Sequence, residues 1–481
     1  MRLTFLVPPC FDHKQPAERS AGCTRVTYFF PNIYELSVAA VLEQDKRDEV
    51  AYRDFVYEKT DREGLEKFFA SDLSDVYLIW TVNLSIDTDL ETVRLLRSHR
   101  PEVPVILLGP GPTHFIRKCL IDRNIFIVRG EPEETVTELV EALRQKKSPE
   151  GIKGVSWLDS EGKIVNNPPR PLIKDLDALP FAARHLLDGR TYHNPKLKVT
   201  PYATLITSRN CPYRCIYCVP SSLTFAREIE YRRHNDNHKP TIGFRSPANV
   251  EKEIAMLAAQ GVKAIGFMDD NFIWNEQRTR ELCDIMRRHG MVWGCQARVD
   301  AITEPIAKML SESGCRYVDL GIESFNDEIL AYIKKGITVA DIYRAIGLLH
   351  KYKVPVKLNV LIGSSPLETK ETVRHTLREA KRLKVDQVMF NIVSPFPGTE
   401  FYQLCKEKGW LSTPDYVPTD VQRESILDLP NLSAREMEKL LFRNNLSYFL
   451  SPRFIVRQLG RFRSASEFKS ALKALKIKLF G

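Results

Sequence analysis

Four hundred and eighty-one residues exceed one compact domain, and a content of 43% hydrophobic and 27% charged residues excludes wholesale disorder. No run approaches ~18 consecutive apolar residues, which excludes a spanning helix. The formal charge of +9 gathers in residues 451–481, where eight basic side chains face one acid, Glu467; the near-neutral remainder argues against a nucleic-acid partner.

The opening Met1–Pro9 is too short an apolar run for a signal peptide and reads as a buried first strand, so a cytoplasmic, reducing location is expected. There the ten cysteines serve as free thiols, metal ligands or redox groups. Strands are predicted at Leu3–Val7, Val50–Phe55, Val76–Trp80, Val105–Gly109 and Ile125–Arg129. Helices are predicted at Tyr34–Gln44, Arg62–Ala70, Thr88–Ser98 and Glu133–Gln145. This alternation implies a parallel sheet covered on both faces, a doubly wound Rossmann- or flavodoxin-like α/β domain over 1–150.

Residues 151–200 read as a small hairpin around Asp159-Ser160-Glu161-Gly162, then a Pro-rich linker. From 201 to 410, strands begin near Tyr202, Lys263, Val292, Arg316, Val356 and Gln387, each followed by a helical pattern. Ser246-Pro247 marks a helix start, and Gly261, Gly290, Gly314 and Gly336 mark helix ends. Six βα units make a partial (β/α)6 barrel of the TIM type. Residues 411–481 are helical, with capping boxes at Ser433-x-x-Glu436 and Ser464-x-x-Glu467.

The chemistry concentrates directly after the first barrel strand, in Asn210-Cys211-Pro212-Tyr213-Arg214-Cys215-Ile216-Tyr217-Cys218. Three thiolates spaced C-x3-C-x2-C on one loop can bind three irons of a [4Fe-4S] cube and leave the fourth open. Structural zinc is the alternative, but it wants a fourth ligand in paired spacing, and no such pair is in the sequence. The loop sits at the C-terminal end of a barrel strand, where barrel active sites lie.

On these residues the chain resembles the radical S-adenosylmethionine superfamily. The resemblance implies a 5′-deoxyadenosyl radical, made by reductive cleavage of S-adenosylmethionine at the cluster held by Cys211, Cys215 and Cys218. It implies that Tyr217 packs against adenine. Asp269 or Asp270, in Phe267-Met268-Asp269-Asp270-Asn271-Phe272, would meet the methionine amino group, although relatives more usually have Gly-Gly-Glu there. Arg298 would meet the carboxylate, although a salt bridge to Asp300 or Glu304 explains it equally well. Gly321-Ile322-Glu323-Ser324 resembles a ribose-contacting segment, which implicates Glu323 and Ser324. Gly363 opens Ser364-Ser365-Pro366-Leu367-Glu368-Thr369, which departs from the usual Pro-Gly-Glu-Thr.

The order of doubly wound domain, linker and barrel resembles the cobalamin-binding-domain subgroup. It implies that cobalamin meets the loops Thr81–Ser85, Gly109–Thr113 and Gly130–Glu134, so that Gly109, Thr113, Gly130 and Glu131 are expected contacts. The D-x-H-x-x-G motif of base-off corrinoid binders is absent, and Asp12-His13 lacks its spacing. The implied activity is methyl transfer to an unactivated carbon of a small-molecule or lipid-like substrate, fed by an external reductant of the flavodoxin or ferredoxin type. Two alternatives stay open, a non-methylating radical enzyme and a non-catalytic iron–sulfur electron carrier. The scattered Cys10, Cys23 and Cys119 speak against a methylthiotransferase. In the tail, Phe468, Leu472, Leu475 and Leu479 recur at helical spacing opposite Lys469, Lys473 and Lys476. That pattern fits either peripheral contact with the anionic inner face of a membrane or docking on the barrel.

Overall fold

The computed structural model describes residues 1–9, 11, 30–187, 189–452 and 455. The basic tail, the Ser464 capping box, Asp12-His13, Cys10 and Cys23 lie outside the described residues. The chain divides into two compact units. The first holds residues 1–212, 219–272 and 277–295; the second holds 213–218, 273–276 and 296–481.

The first unit opens with β1 (Arg2–Val7), α1 (Ile33–Leu42), β2 (Glu49–Asp54), α2 (Arg62–Ser71), β3 (Val76–Trp80) and α3 (Ile86–His99). Then come β4 (Val105–Leu108), α4 (Pro110–His114), α5 (Ile116–Cys119), β5 (Ile125–Val128) and α6 (Glu133–Arg144). Strands β3, β4 and β5 are buried at every residue, as apolar runs covered on both faces must be. The hairpin, placed in the linker from sequence, instead extends this sheet. Its strands β6 (Val155–Leu158) and β7 (Ile164–Asn166) run antiparallel, β6 beside β5. The sheet order is β2-β1-β3-β4-β5-β6-β7, so the winding reverses between β1 and β3.

The same unit continues with β8 (Tyr202–Leu205), β9 (Ser208–Arg209), α7 (Ser222–Arg233), β10 (Gly243–Phe244), α8 (Pro247–Ala259), β11 (Ala264–Phe267) and α9 (Glu276–Arg288). Strand β11 pairs in parallel with β8 on one side and with the start of β12 (Val292–Ala297) on the other. Ser246 caps α8 through the Asn249 amide, as its sequence predicts. Helix α7 is unusual. Its sequence intersperses Arg227, Glu228 and Glu230 with apolar residues, yet every residue from Ser222 to Glu230 is buried, which requires those charges to be paired.

In the second unit, α10 (Glu304–Glu312) leads to β13 (Cys315–Glu323), α11 (Asp327–Tyr332), α12 (Val339–Lys351) and β14 (Val356–Ile362). These are followed by α13 (Lys370–Arg382), β15 (Gln387–Ile392), α14 (Glu400–Lys408) and α15 (Ala434–Phe449). Strand β14 pairs in parallel with β13 and β15. The Ser433–Glu436 capping box is formed. No helix among the described residues is long and apolar enough to cross a membrane.

Candidate functional site

The cysteine loop leaves β9 through Asn210, whose φ of +80° sets a left-handed turn before Cys211. Farther on, the Cys218 amide donates to the Cys215 carbonyl at 3.2 Å and closes a tight turn. Ile216 is the apolar anchor: it is buried, its amide donates to Ile333 O at 3.2 Å, and its carbonyl accepts from Phe401 N at 2.9 Å. The neighbouring cysteines are thereby turned outward. Of the eight described cysteines, Cys119, Cys283, Cys295, Cys315 and Cys405 are buried, Cys211 and Cys215 are half-buried, and Cys218 is exposed.

Among the described residues no three acidic, cysteine or histidine side chains converge on a single ion. A cube takes each thiolate at a different iron, so it requires a loop of accessible thiols and no one-ion cage. The donor set fits such a cluster.

Two buried cations flank this loop within the second unit. The Arg298 guanidinium stacks over the Tyr213 ring at 3.5 Å and bonds Asp300 at 3.0 and 2.9 Å and Lys335 O at 2.7 Å. Arg298 is therefore tied to Asp300, and its stacking fixes the loop between the first two cysteines. Such a desolvated cation–π contact contributes about 2 kcal/mol.

Lys335, which no sequence pattern marks, is buried with Nζ 2.8 Å from Glu323 Oε1 and 3.4 Å from Tyr217 Oη. Burial opposes its charge, but Glu323 outweighs burial and raises its pKa. Burial pushes the Tyr217 phenol well above its usual range, and Glu323 adds to the effect. Glu323 itself stands at φ +61° in a bulge that shifts the β13–β14 register between Gly321 and Glu323.

The two candidate acids after β11 separate cleanly. Asp269 is spent on protein: it accepts from Thr207 N at 3.1 Å, Thr207 Oγ1 at 2.8 Å and Ser208 Oγ at 2.6 Å, and so holds the segment between β8 and the loop. Asp270 accepts from Ser221 N at 2.5 Å through Oδ1, while its buried Oδ2 has no hydrogen-bond partner. Burial raises the pKa of both carboxyls. Asp270 is thus the acid with an oxygen to offer an ammonium group.

Ser324 and Gly363 serve the framework. Ser324 is buried, its hydroxyl 3.2 Å from that of Thr376. Gly363 has φ +81°, and a Cβ there would collide with Met437 Sδ. Its amide donates to Glu368 at 2.8 Å, and the same carboxylate takes the Ser364 amide at 2.7 Å, so Glu368 shapes the turn after β14.

At the carboxyl edge of the first sheet the residues expected to meet a corrinoid make protein contacts. The loops after β4 and β5 are filled by α7. Gly109, at φ +95°, lies where a Cβ would come within 2.7 Å of Thr81 O, and a Cβ on Gly130 would come within 3.3 Å of Glu230. Thr113 gives its carbonyl to Arg233 at 2.8 Å, and Glu131 pairs with Arg209 at 2.9 Å. All four are buried against protein. Close packing explains these glycines as well as a ligand would. The loop after β3 is different. The Ser85 hydroxyl accepts from Val82 N at 3.1 Å and donates to Asp89 at 2.8 Å, whereas the buried Thr81 Oγ1 beside it has no partner. Thr81 stands at the reversal between β1 and β3, where doubly wound sheets take ligands. A polar cofactor fits there.

These features define an iron–sulfur enzyme built on parallel βα units, with a second, flavodoxin-like sheet before them. The Radical SAM superfamily matches residues 205–380. A methyltransferase of Pyrococcus horikoshii, described as uncharacterized, is 32% identical over 391 residues, 79% of this chain and 80% of that protein. The anaerobic magnesium-protoporphyrin IX monomethyl ester cyclase of Cereibacter sphaeroides is 27% identical over 76% of this chain and 61% of its own length. Among solved structures, the radical S-adenosylmethionine methyltransferase TsrM of Kitasatospora setae, with cobalamin and [4Fe-4S] cluster bound, shares the fold. Its TM-score is 0.67 at 19% identity, over 94% of this chain and 89% of that one. The chain belongs to the radical S-adenosylmethionine superfamily. It is an enzyme, with the [4Fe-4S] cluster and S-adenosylmethionine as its cofactors.

Proposed function

We propose that this chain is a cobalamin-dependent radical methyltransferase that alkylates an unactivated carbon of a small-molecule or lipid-like substrate. The observation that carries the reading is the pairing, in one chain, of an accessible three-cysteine loop with a flavodoxin-like sheet whose switch point holds a buried, unpartnered Thr81 hydroxyl. The description of the 32% identical relative as a methyltransferase supports it. When bound, the cluster and S-adenosylmethionine supply a hydrogen-abstracting radical, and cobalamin supplies a transferable methyl group.

The protein's own work is placement. Cys211, Cys215 and Cys218 hold the cluster. Asp270 accepts from the methionine ammonium, and Tyr217, held against Lys335 and Glu323, offers a ring face for adenine. Thr81 contacts the corrinoid. An external reductant of the flavodoxin or ferredoxin type supplies the electron.

The 27% identical cyclase favours a second reading, radical chemistry without methyl transfer. Anaerobic turnover with hydroxocobalamin and a reductant separates the two. Formation of 5′-deoxyadenosine together with S-adenosylhomocysteine supports methyl transfer. Deoxyadenosine without the homocysteine supports the second reading, and neither product alongside a redox-active cluster supports an electron carrier.

A further inference from the structure

We propose that Arg227 is a positioning residue for the cluster loop: it fixes the turn that launches Cys211 and takes its own footing from Glu131 on the first sheet. The proposal rests on the cluster alone, whichever reaction the enzyme performs.

The turn at Asn210 needs holding. A residue other than glycine in the left-handed region is strained by roughly 1–3 kcal/mol and persists when its surroundings impose it. Two side chains of α7 do so. Thr224 Oγ1 accepts the Asn210 amide at 3.2 Å, and Arg227 Nη1 donates to Asn210 Oδ1. The same Nη1 donates to Thr241 O at 2.9 Å, which leaves the guanidinium little rotational freedom.

Arg227 is 2% exposed, so its charge requires a partner. That partner is Glu131, whose Oε1 lies 3.1 Å from Arg227 Nε. Glu131 Oε1 also accepts from Arg209 Nη1 at 2.9 Å, and Arg209 Nη2 reaches Glu133 at 2.5 Å. Both residues preceding Cys211 are therefore tied, through buried guanidinium groups, to the loop that begins α6. Glu131 Oε1 is thus shared by the guanidinium groups of Arg209 and Arg227. Lysine could carry the charge of Arg227 but not its planar fork, so it would lose the simultaneous reach to Asn210, Thr241 and Glu131.

The test uses the full chain reconstituted anaerobically with iron and sulfide. Arg227→Lys keeps the charge and loses the fork. Asn210→Gly keeps the left-handed turn without strain and removes the acceptor. Glu228→Gln, on the same helix but paired with Arg232 and Lys239, is the control. Iron release to a chelator and the electron paramagnetic resonance spectrum of the reduced cluster are the readouts. Groups that orient a metal ligand typically matter about 10- to 100-fold, so both variants should release iron faster by that factor and show shifted or broadened spectra. The double variant should be no faster than the quicker single one, because both remove one contact. Should Arg227→Lys fail to fold, Asn210→Gly decides alone, since glycine accepts that turn. Native release rates and spectra in the variants, or an equal change in Glu228→Gln, would overturn the proposal.

Discussion

Lys335 Nζ lies 2.8 Å from Glu323 Oε1, and a side chain on Gly321 would have to occupy the space of both. Each partner has a side-chain exposure below a tenth, so neither charge has water to fall back on. Lys335→Met strands the Glu323 carboxylate and should destabilise the cluster-free protein by about 3–5 kcal/mol. Adding Glu323→Gln should recover part of that loss. Urea unfolding of the single and double variants checks both expectations.

Asp269 and Asp270 are neighbours with opposite roles. Asp270→Asn should weaken S-adenosylmethionine binding by about 1.5–3 kcal/mol, the worth of a charged hydrogen bond, and leave unfolding nearly unchanged. Asp269→Asn should instead lower stability, because its oxygens hold Thr207 and Ser208. Calorimetric titration with the nucleoside, beside thermal unfolding, distinguishes them.

Thr81 gives a prediction of unusual sign. Its hydroxyl is buried and unpartnered. Thr81→Val should therefore hold stability or raise it by about 1 kcal/mol, while weakening hydroxocobalamin binding severalfold. Absorbance titration and urea unfolding of one variant test both halves.

Thiol chemistry follows from burial. Burial pushes the Cys119 and Cys405 thiols up to about 12. A raised pKa favours the protonated, unreactive form, so at pH 8 on the order of one such thiol in ten thousand is ionised. Iodoacetamide on cluster-free native protein at pH 8 should modify Cys211, Cys215 and Cys218 first, and leave Cys119, Cys283, Cys295, Cys315 and Cys405 until unfolding. Peptide mass spectrometry reads the order. Raising the pH towards 12 should open Cys119 and Cys405 to the reagent only as far as it can reach them.

Much of this was legible before any coordinates, because the signals are local. Val76–Trp80 matches its predicted strand at both ends, and Val292, Val356 and Gln387 begin strands as expected. The alternation of buried strand and amphipathic helix writes itself into residue spacing. The cysteine loop was legible for the same reason. Lys335, Arg209 and Arg227 were not, since a buried charge is announced by its partner, and the partners lie 12 to 96 positions away in sequence. Gly109 and Gly130 are ambiguous in sequence for a physical reason: a glycine required by close packing, against Thr81 and Trp80 or against Glu230, reads like one required by a ligand. The hairpin was seen, but its pairing with β5 was a question of which edge lay open, and spacing carries no such information.

The account depends most on an iron–sulfur cube with one iron left for S-adenosylmethionine. Electron paramagnetic resonance of the anaerobically reconstituted, dithionite-reduced chain, recorded with and without S-adenosylmethionine, addresses this directly. A [4Fe-4S]+ spectrum whose g-values move on adding the nucleoside, and which vanishes when Cys211, Cys215 and Cys218 are all alanine, is the predicted result. A spectrum indifferent to the nucleoside, or a cluster that survives the triple substitution, would contradict it.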